Sequence, residues 1–218
     1  MRYLPVMLDL KDCPVLVVGA GAIAARKAGA LVRGGARVTV VAPGIGAEME
    51  RLASREDGLR IARRRFRASD LGGVRLVFAA TNDAKVQSEI AAEAEKKGVW
   101  VNAADEPENC TFLMPALLER GPLQVAVSTG GASPALARRV RDEIDAALGP
   151  EFGEAAEVLG ELRVRFERGE ARGHAFTRLL DEGLLEALRQ GDEARVERMT
   201  REALQGLPRA RTRAARDE

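Results

Sequence analysis

The segment Val15-Leu16-Val17-Val18-Gly19-Ala20-Gly21-Ala22-Ile23-Ala24 constrains this chain more than any other. A continuous apolar run ends in Gly-x-Gly-x-x-Ala, and an Ala-rich helical pattern over 23–33 opens directly from it. A strand that feeds a glycine turn and then a helix belongs in a parallel α/β sheet with crossover helices. Gly19 permits the tight turn. Gly21 lets the backbone approach a pyrophosphate with no Cβ in the way, and Ala24 lets the helix pack close to the strand. The helix N-terminus then offers unpaired N–H groups and positive dipole to phosphates. The bland alternative is a glycine turn with no nucleotide. The strand–loop–helix placement favours the dinucleotide.

The rest of the first half repeats the alternation. Runs over 37–42, 74–80 and 99–102 read as strands and 59–65 as a weaker one, and 47–54 and 86–97 read as helices, the second stopped by Gly98. The pattern changes after Asp105-Glu106-Pro107. Segments 112–118 and 123–128 look like a hairpin with its turn at 119–122, which places a boundary near Phe112. Ser133-Pro134 has the form of a helix cap and first residue, and the helix is expected to run to about Leu148. From Glu151 the chain is helical and charged, with glycines at 160, 169, 173, 183 and 191, and residues 208–218 are expected to form a disordered, arginine-bearing tail. The expected class is therefore α/β.

Composition removes several kinds of chemistry. Among 218 residues there is one histidine, His174, and there are two cysteines, Cys13 and Cys110. A Cys/His zinc centre has almost no ligands to draw on, and no metal-ligand set is expected. Two cysteines make no disulfide framework, so a reducing compartment is expected. The charged N-terminus does not read as a signal peptide, and no stretch has the ~18 apolar residues of a spanning helix. A cytoplasmic protein is expected. Lys and Arg total 34 against 33 Asp and Glu, a net charge of +1 that gives no overall field to gather nucleic acid or anionic lipid.

Further candidates lie where strands should end. The strand over 37–42 runs into Pro43-Gly44 and carries no acid for the ribose hydroxyls, so it does not distinguish NAD from NADP. Backbone around Pro43-Gly44 is placed to line the adenosine side. Thr81 and Asn82 are candidate contacts to the nicotinamide side, and a helix cap is their structural alternative. Asp105 stands just beyond the fourth strand, in Val101-Asn102-Ala103-Ala104-Asp105, and is the candidate general base. Asp83 and Glu106 compete with it. Ser128-Thr129-Gly130-Gly131 precedes a helix start, with Arg138 and Arg139 about one turn inside. That arrangement suits a carboxylate or phosphate, and equally a simple capped turn.

Several of these blocks, in this order, resemble a known family. They are Leu4-Pro5-Val6, the glycine loop with Arg26-Lys27, Ala79-Ala80-Thr81-Asn82-Asp83, Asn102-x-x-Asp105, Phe112-Leu113-Met114-Pro115-Ala116, and Val127 through Pro134. Together they are similar to the precorrin-2 dehydrogenase/sirohydrochlorin ferrochelatase family, the dehydrogenase–chelatase module of siroheme synthase. The resemblance implies an N-terminal Rossmann-type domain (1–112), a central α+β dimerisation domain (113–149) and a C-terminal helical domain (150–207), assembled as a homodimer. It implies NAD contacts at Gly19, Gly21, Ala22, Ile23, Ala24, Pro43, Gly44, Thr81 and Asn82. Asp105 would be the catalytic carboxylate. Asn102, Ser128, Thr129, Gly130, Gly131 and Arg138 would bind the polycarboxylate tetrapyrrole.

The implied reaction is NAD-dependent oxidation of precorrin-2 to sirohydrochlorin, with Fe2+ insertion as a second activity in bifunctional members. Dehydrogenase activity alone is one alternative, and a non-catalytic NAD-sensing module is another of a different class. Thr129 stands where some members carry a phosphorylatable serine. His174, in the helical region, is expected to be a surface or packing residue.

Overall fold

The computed structural model describes residues 2–104, 107–205 and 207–210. It divides into two compact units, Met1–Met114 and Pro115–Glu218.

The first unit is a five-stranded sheet, β1 (Pro14–Val18), β2 (Arg37–Val41), β3 (Leu59–Ala62), β4 (Leu76–Ala79) and β5 (Trp100–Ala103), in the order β3-β2-β1-β4-β5. Every pairing is parallel, with Val15 opposite both Val38 and Leu76. Parallel strands are covered on both faces, which is why β1 is continuously apolar. Val15 and Val17 face one core with Ala24, Ala28 and Leu31 of α1 (Ala22–Arg33) and with Met49 of α2 (Ala47–Ala53). Leu16 and Val18 face the other, with Ile90 and Ala94 of α3 (Ala84–Lys97). Each such buried Val, Leu, Ile or Met side chain contributes roughly 1.5–3 kcal/mol. Alanines at 24, 25 and 28 bring α1 close to the sheet, so a core with few aromatics still closes.

β3 is shorter than the strand expected over 59–65 and stops before Arg63-Arg64-Arg65. Past Ala62 the chain turns outward, and Arg64 forms a two-bond pair with Asp70 (2.8 and 2.6 Å). The Arg64 guanidinium holds the Asp70 carboxyl below its ordinary range. Asp70 also accepts from the Arg67 N–H (2.9 Å), which closes the 3-10 turn Ala68–Leu71.

The second unit opens with a hairpin, β6 (Ala116–Arg120) and β7 (Leu123–Val127), joined at Gly121-Pro122. Its first strand starts and ends later than the apolar run over 112–118. Phe112 and Leu113 belong instead to the two cores of the first unit. Helix α4 (Pro134–Ala147) packs on both strands. Ser133 caps it, its Oγ accepting from the Leu136 N–H (3.2 Å).

Helices α5 (Glu151–Arg165), α6 (Glu170–Asp181), α7 (Leu184–Arg189) and α8 (Glu193–Ala203) share a third core around Leu162, Leu179, Leu184 and Met199. Gly160 and Gly173 sit inside helices, whereas Gly169, Gly183 and Gly191 lie between them. Buried Glu151 receives Arg189 at 2.7 and 3.1 Å, and that guanidinium holds its carboxyl below the usual range. Residues 208–210, at the start of the expected tail, pair with the end of α5. The Glu167 N–H donates to Pro208 (3.0 Å) and the Ala210 N–H to Arg165 (3.0 Å).

Candidate active site

Strand order reverses at β1, so a crevice opens beyond the carboxyl ends of β1 and β4. The loops on either side touch through their backbones. Gly19 has φ +113°, and a Cβ there would lie 2.2 Å from the Ala80 carbonyl oxygen. Gly46, after β2, donates its N–H to Ala20 (3.1 Å), and a Cβ on it would lie 2.8 Å from the same oxygen. Gly19 therefore serves conformation and close approach together, and Gly46 serves close approach.

Gly21 is different. It is the N-cap of α1 with φ −78°, and a Cβ on it would meet nothing within 4 Å. No side chain caps α1 and no acid stands in its first turn. Ala22 and Ile23 are exposed, whereas Ala24 is fully buried against the sheet. An uncapped helix start facing open space is what a pyrophosphate requires. Pro43 and Gly44 are exposed just past β2. These residues fit a dinucleotide.

Thr81 and Asn82 follow β4. The helix cap there is Asp83, whose Oδ1 accepts from the Lys85 (3.0 Å) and Val86 (3.3 Å) N–H groups. Thr81 accepts from the Asp83 N–H at 3.3 Å, and its carbonyl accepts from buried Gln87 at 2.7 Å. Asn82 is exposed. The cap thus engages Asp83, a competing candidate base, and leaves Asn82 at the rim.

Asn102 is 6% exposed near the end of β5. Its Oδ1 accepts from Lys27 of α1 (2.8 Å), and its Nδ2 donates to the Phe112 carbonyl (3.1 Å). Lys27 also stands over the Phe78 ring, 5.3 Å from its centroid, and Phe78 meets Phe112 edge to face at 5.4 Å. Cys110 Sγ lies between the Ala103 N–H (3.2 Å) and carbonyl (3.3 Å) and acts as a structural thiol. Asp105 and Glu106 lie outside the described residues.

In the second unit, Ser128 Oγ accepts from the Gly130 N–H (3.1 Å), and Thr129 Oγ1 accepts from the Ser133 N–H (2.9 Å). Gly130 and Gly131 both take positive φ. The hydroxyls are thus used in shaping the loop. Arg139 pairs with Glu143 (2.8 Å), whereas Arg138 is exposed and makes no ion pair among the described residues. His174 is exposed on α6. No group of three His, Cys, Asp or Glu among the described residues could hold a metal ion.

The sequence reading missed Gly46, Gln87 and the pairing of Lys27 with Asn102. Gly46 had a local signal, a second glycine two residues past Pro43-Gly44. Lys27 and Asn102 are 75 positions apart, and nothing local links them.

Strand order, glycine turn and uncapped helix define a doubly wound dinucleotide-binding protein. A family model described as putative NAD(P)-binding matches residues 6–116, and one described as sirohaem biosynthesis protein central matches 120–147. The chain is similar to SirC, precorrin-2 dehydrogenase, with TM-score 0.76 and 31% identity, covering 93% of this chain and 98% of that one. It is 41% identical over 214 residues to a siroheme synthase of Methylococcus capsulatus, covering 96% of this chain and 45% of the relative. Siroheme synthase 1 of Serratia proteamaculans is 42% identical over 163 residues, 75% of this chain and 34% of the relative. The chain thus spans under half the length of these synthases. It belongs to the precorrin-2 dehydrogenase family.

Proposed function

We propose that this chain oxidises precorrin-2 to sirohydrochlorin in siroheme biosynthesis, using NAD+. One observation carries the reading: the likeness to SirC, precorrin-2 dehydrogenase, runs through 98% of that chain at 31% identity. When bound, NAD+ supplies the hydride acceptor. The N–H groups at the start of α1, past Gly21, hold the pyrophosphate, and exposed Ile23, Pro43 and Gly44 line the nucleotide. Thr81 and Asn82 bound the nicotinamide end. Oxidation also releases a proton, and Asp105, three residues after Asn102, takes it. The Ser128–Gly131 loop and Arg138 grip the substrate carboxylates, whereas buried Asn102, its amide taken up by Lys27 and Phe112, acts through its position in β5.

The siroheme synthase relatives favour a second step, in which Fe2+ enters the product as two pyrrole N–H protons leave. The tetrapyrrole nitrogens are themselves the ligands, so no protein metal cage is needed. The chain acts as a homodimer in the cytoplasm, with 113–149 as the dimerisation domain. Two buried free cysteines suit a reducing compartment, and among the described residues no helix is long and apolar enough to cross a membrane.

Anaerobic incubation with precorrin-2 and NAD+, followed by visible spectra, tests the reading. NADH should appear in step with sirohydrochlorin, and added Fe2+ should then be inserted faster than without protein. Bound NAD+ without turnover would instead make the chain a sensing module.

A further inference from the structure

We propose that Lys27 is a positioning residue that ties the cofactor-binding helix to the catalytic end of β5 by orienting the Asn102 carboxamide. The inference rests on the dehydrogenase reading above.

Two contacts converge on this ammonium, and a third supports its ring partner. It donates to Asn102 Oδ1 at 2.8 Å, it stands over the Phe78 ring at 5.3 Å, and Phe78 supports Phe112 edge to face. Asn102 closes the circle by donating Nδ2 to the Phe112 carbonyl at 3.1 Å. A carboxamide has a donor end and an acceptor end, and Lys offers donors only. With Lys27 on one side and a carbonyl on the other, the amide has one satisfied orientation. Asn102 is 6% exposed, so a reversed amide has no ready solvent to compensate it.

The placement gives this lock its consequence. Lys27 lies in the second turn of α1, the helix whose first turn faces the pyrophosphate space. Asn102 lies one residue before the end of β5, which runs on toward Asp105. The link therefore joins the two sides of the crevice that must hold cofactor and substrate in register. Reactions of this kind depend on such register, and small misplacements of reacting groups are costly in rate.

The test uses Lys27→Met, which keeps an unbranched stem beside Phe78 and removes the ammonium, and Lys27→Arg, which restores a charged donor. With precorrin-2 and NAD+, Lys27→Met should lower kcat by about tenfold to a hundredfold. NAD+ affinity should stay within about twofold, and Lys27→Arg should recover much of the loss. On an Asn102→Ala background, Lys27→Met should add little. The Asn102 side-chain NH2 resonances, read by NMR on 15N-labelled protein without substrate, should lose exchange protection in Lys27→Met. Wild-type kcat in Lys27→Met, or a loss expressed wholly in NAD+ affinity, overturns the proposal. So does an unmoved Asn102 amide pair. If the wild-type protein itself does not turn over precorrin-2, the dehydrogenase reading fails, and the amide resonances still decide whether Lys27 locks Asn102.

Discussion

The Ala80 carbonyl oxygen lies so close to Gly19 that a Cβ on Gly19 would fall 2.2 Å from it. The loops after β1 and β4 thus meet where any side chain would separate them, and φ +113° at Gly19 disfavours one independently. Gly19→Ala should destabilise the first unit by about 2–5 kcal/mol, the sum of backbone strain and overpacking. Urea unfolding of the two proteins measures it.

Gly21 should separate binding from folding. Its φ is ordinary and a Cβ would meet nothing, so Gly21→Ala should unfold with a midpoint close to wild type. NAD+ affinity should nonetheless fall, because the methyl group enters the pyrophosphate space. Gly21→Asp should abolish binding through added charge. Calorimetric titration with NAD+ gives both values, and unchanged affinity would contradict the assigned loop.

Asp105→Ala should reduce dehydrogenation by roughly 10²–10⁴-fold, the range of general-base loss. NAD+ affinity should survive. Stopped-flow NADH formation distinguishes this from a variant at Asp83, where loss of the cap to Lys85 and Val86 should weaken α3 by about 1 kcal/mol.

The helical unit should carry an acid-sensitive anchor. Arg189 holds the buried Glu151 carboxyl below its ordinary range. A depressed folded-state value means the unfolded chain takes up the proton first. The pair's contribution is therefore present above the ordinary Glu value of about 4.3 and is lost as pH falls below it. Arg64 and Asp70 behave alike in the first unit. Melting followed from neutral pH into the acid range should be less steep in pH for Glu151→Gln than for wild type. An identical slope would remove Glu151 from the account.

Local chemistry was legible in the sequence where one segment does the whole job. β1, the glycine turn and α1 follow from a ten-residue stretch, because turn, phosphate access and helix start are all encoded within it. Ser133-Pro134 likewise marked the start of α4. The hairpin was misregistered for a physical reason. Phe112 and Leu113 are apolar because they fill the cores around Phe78 and Leu71, and apolar alternation alone does not say which core a residue serves. Thr81 and Asn82 looked like cap residues, whereas the side chain that reaches the N–H groups of α3 is that of Asp83. The tie between Lys27 and Asn102 exists only once β4 and β5 have been laid beside β1.

Because Gly19, Ala20, Gly46 and Ala80 meet through main-chain atoms, the cofactor cradle is built with almost no side-chain vocabulary. A saturation-mutagenesis map of this rim should be sharply uneven. Gly19 and Gly46 should reject every replacement, while exposed Ala22 and Pro43 beside them accept many. Drift at such tolerant neighbours leaves the cradle's shape intact, so the binding architecture can outlast most of the letters that spell it.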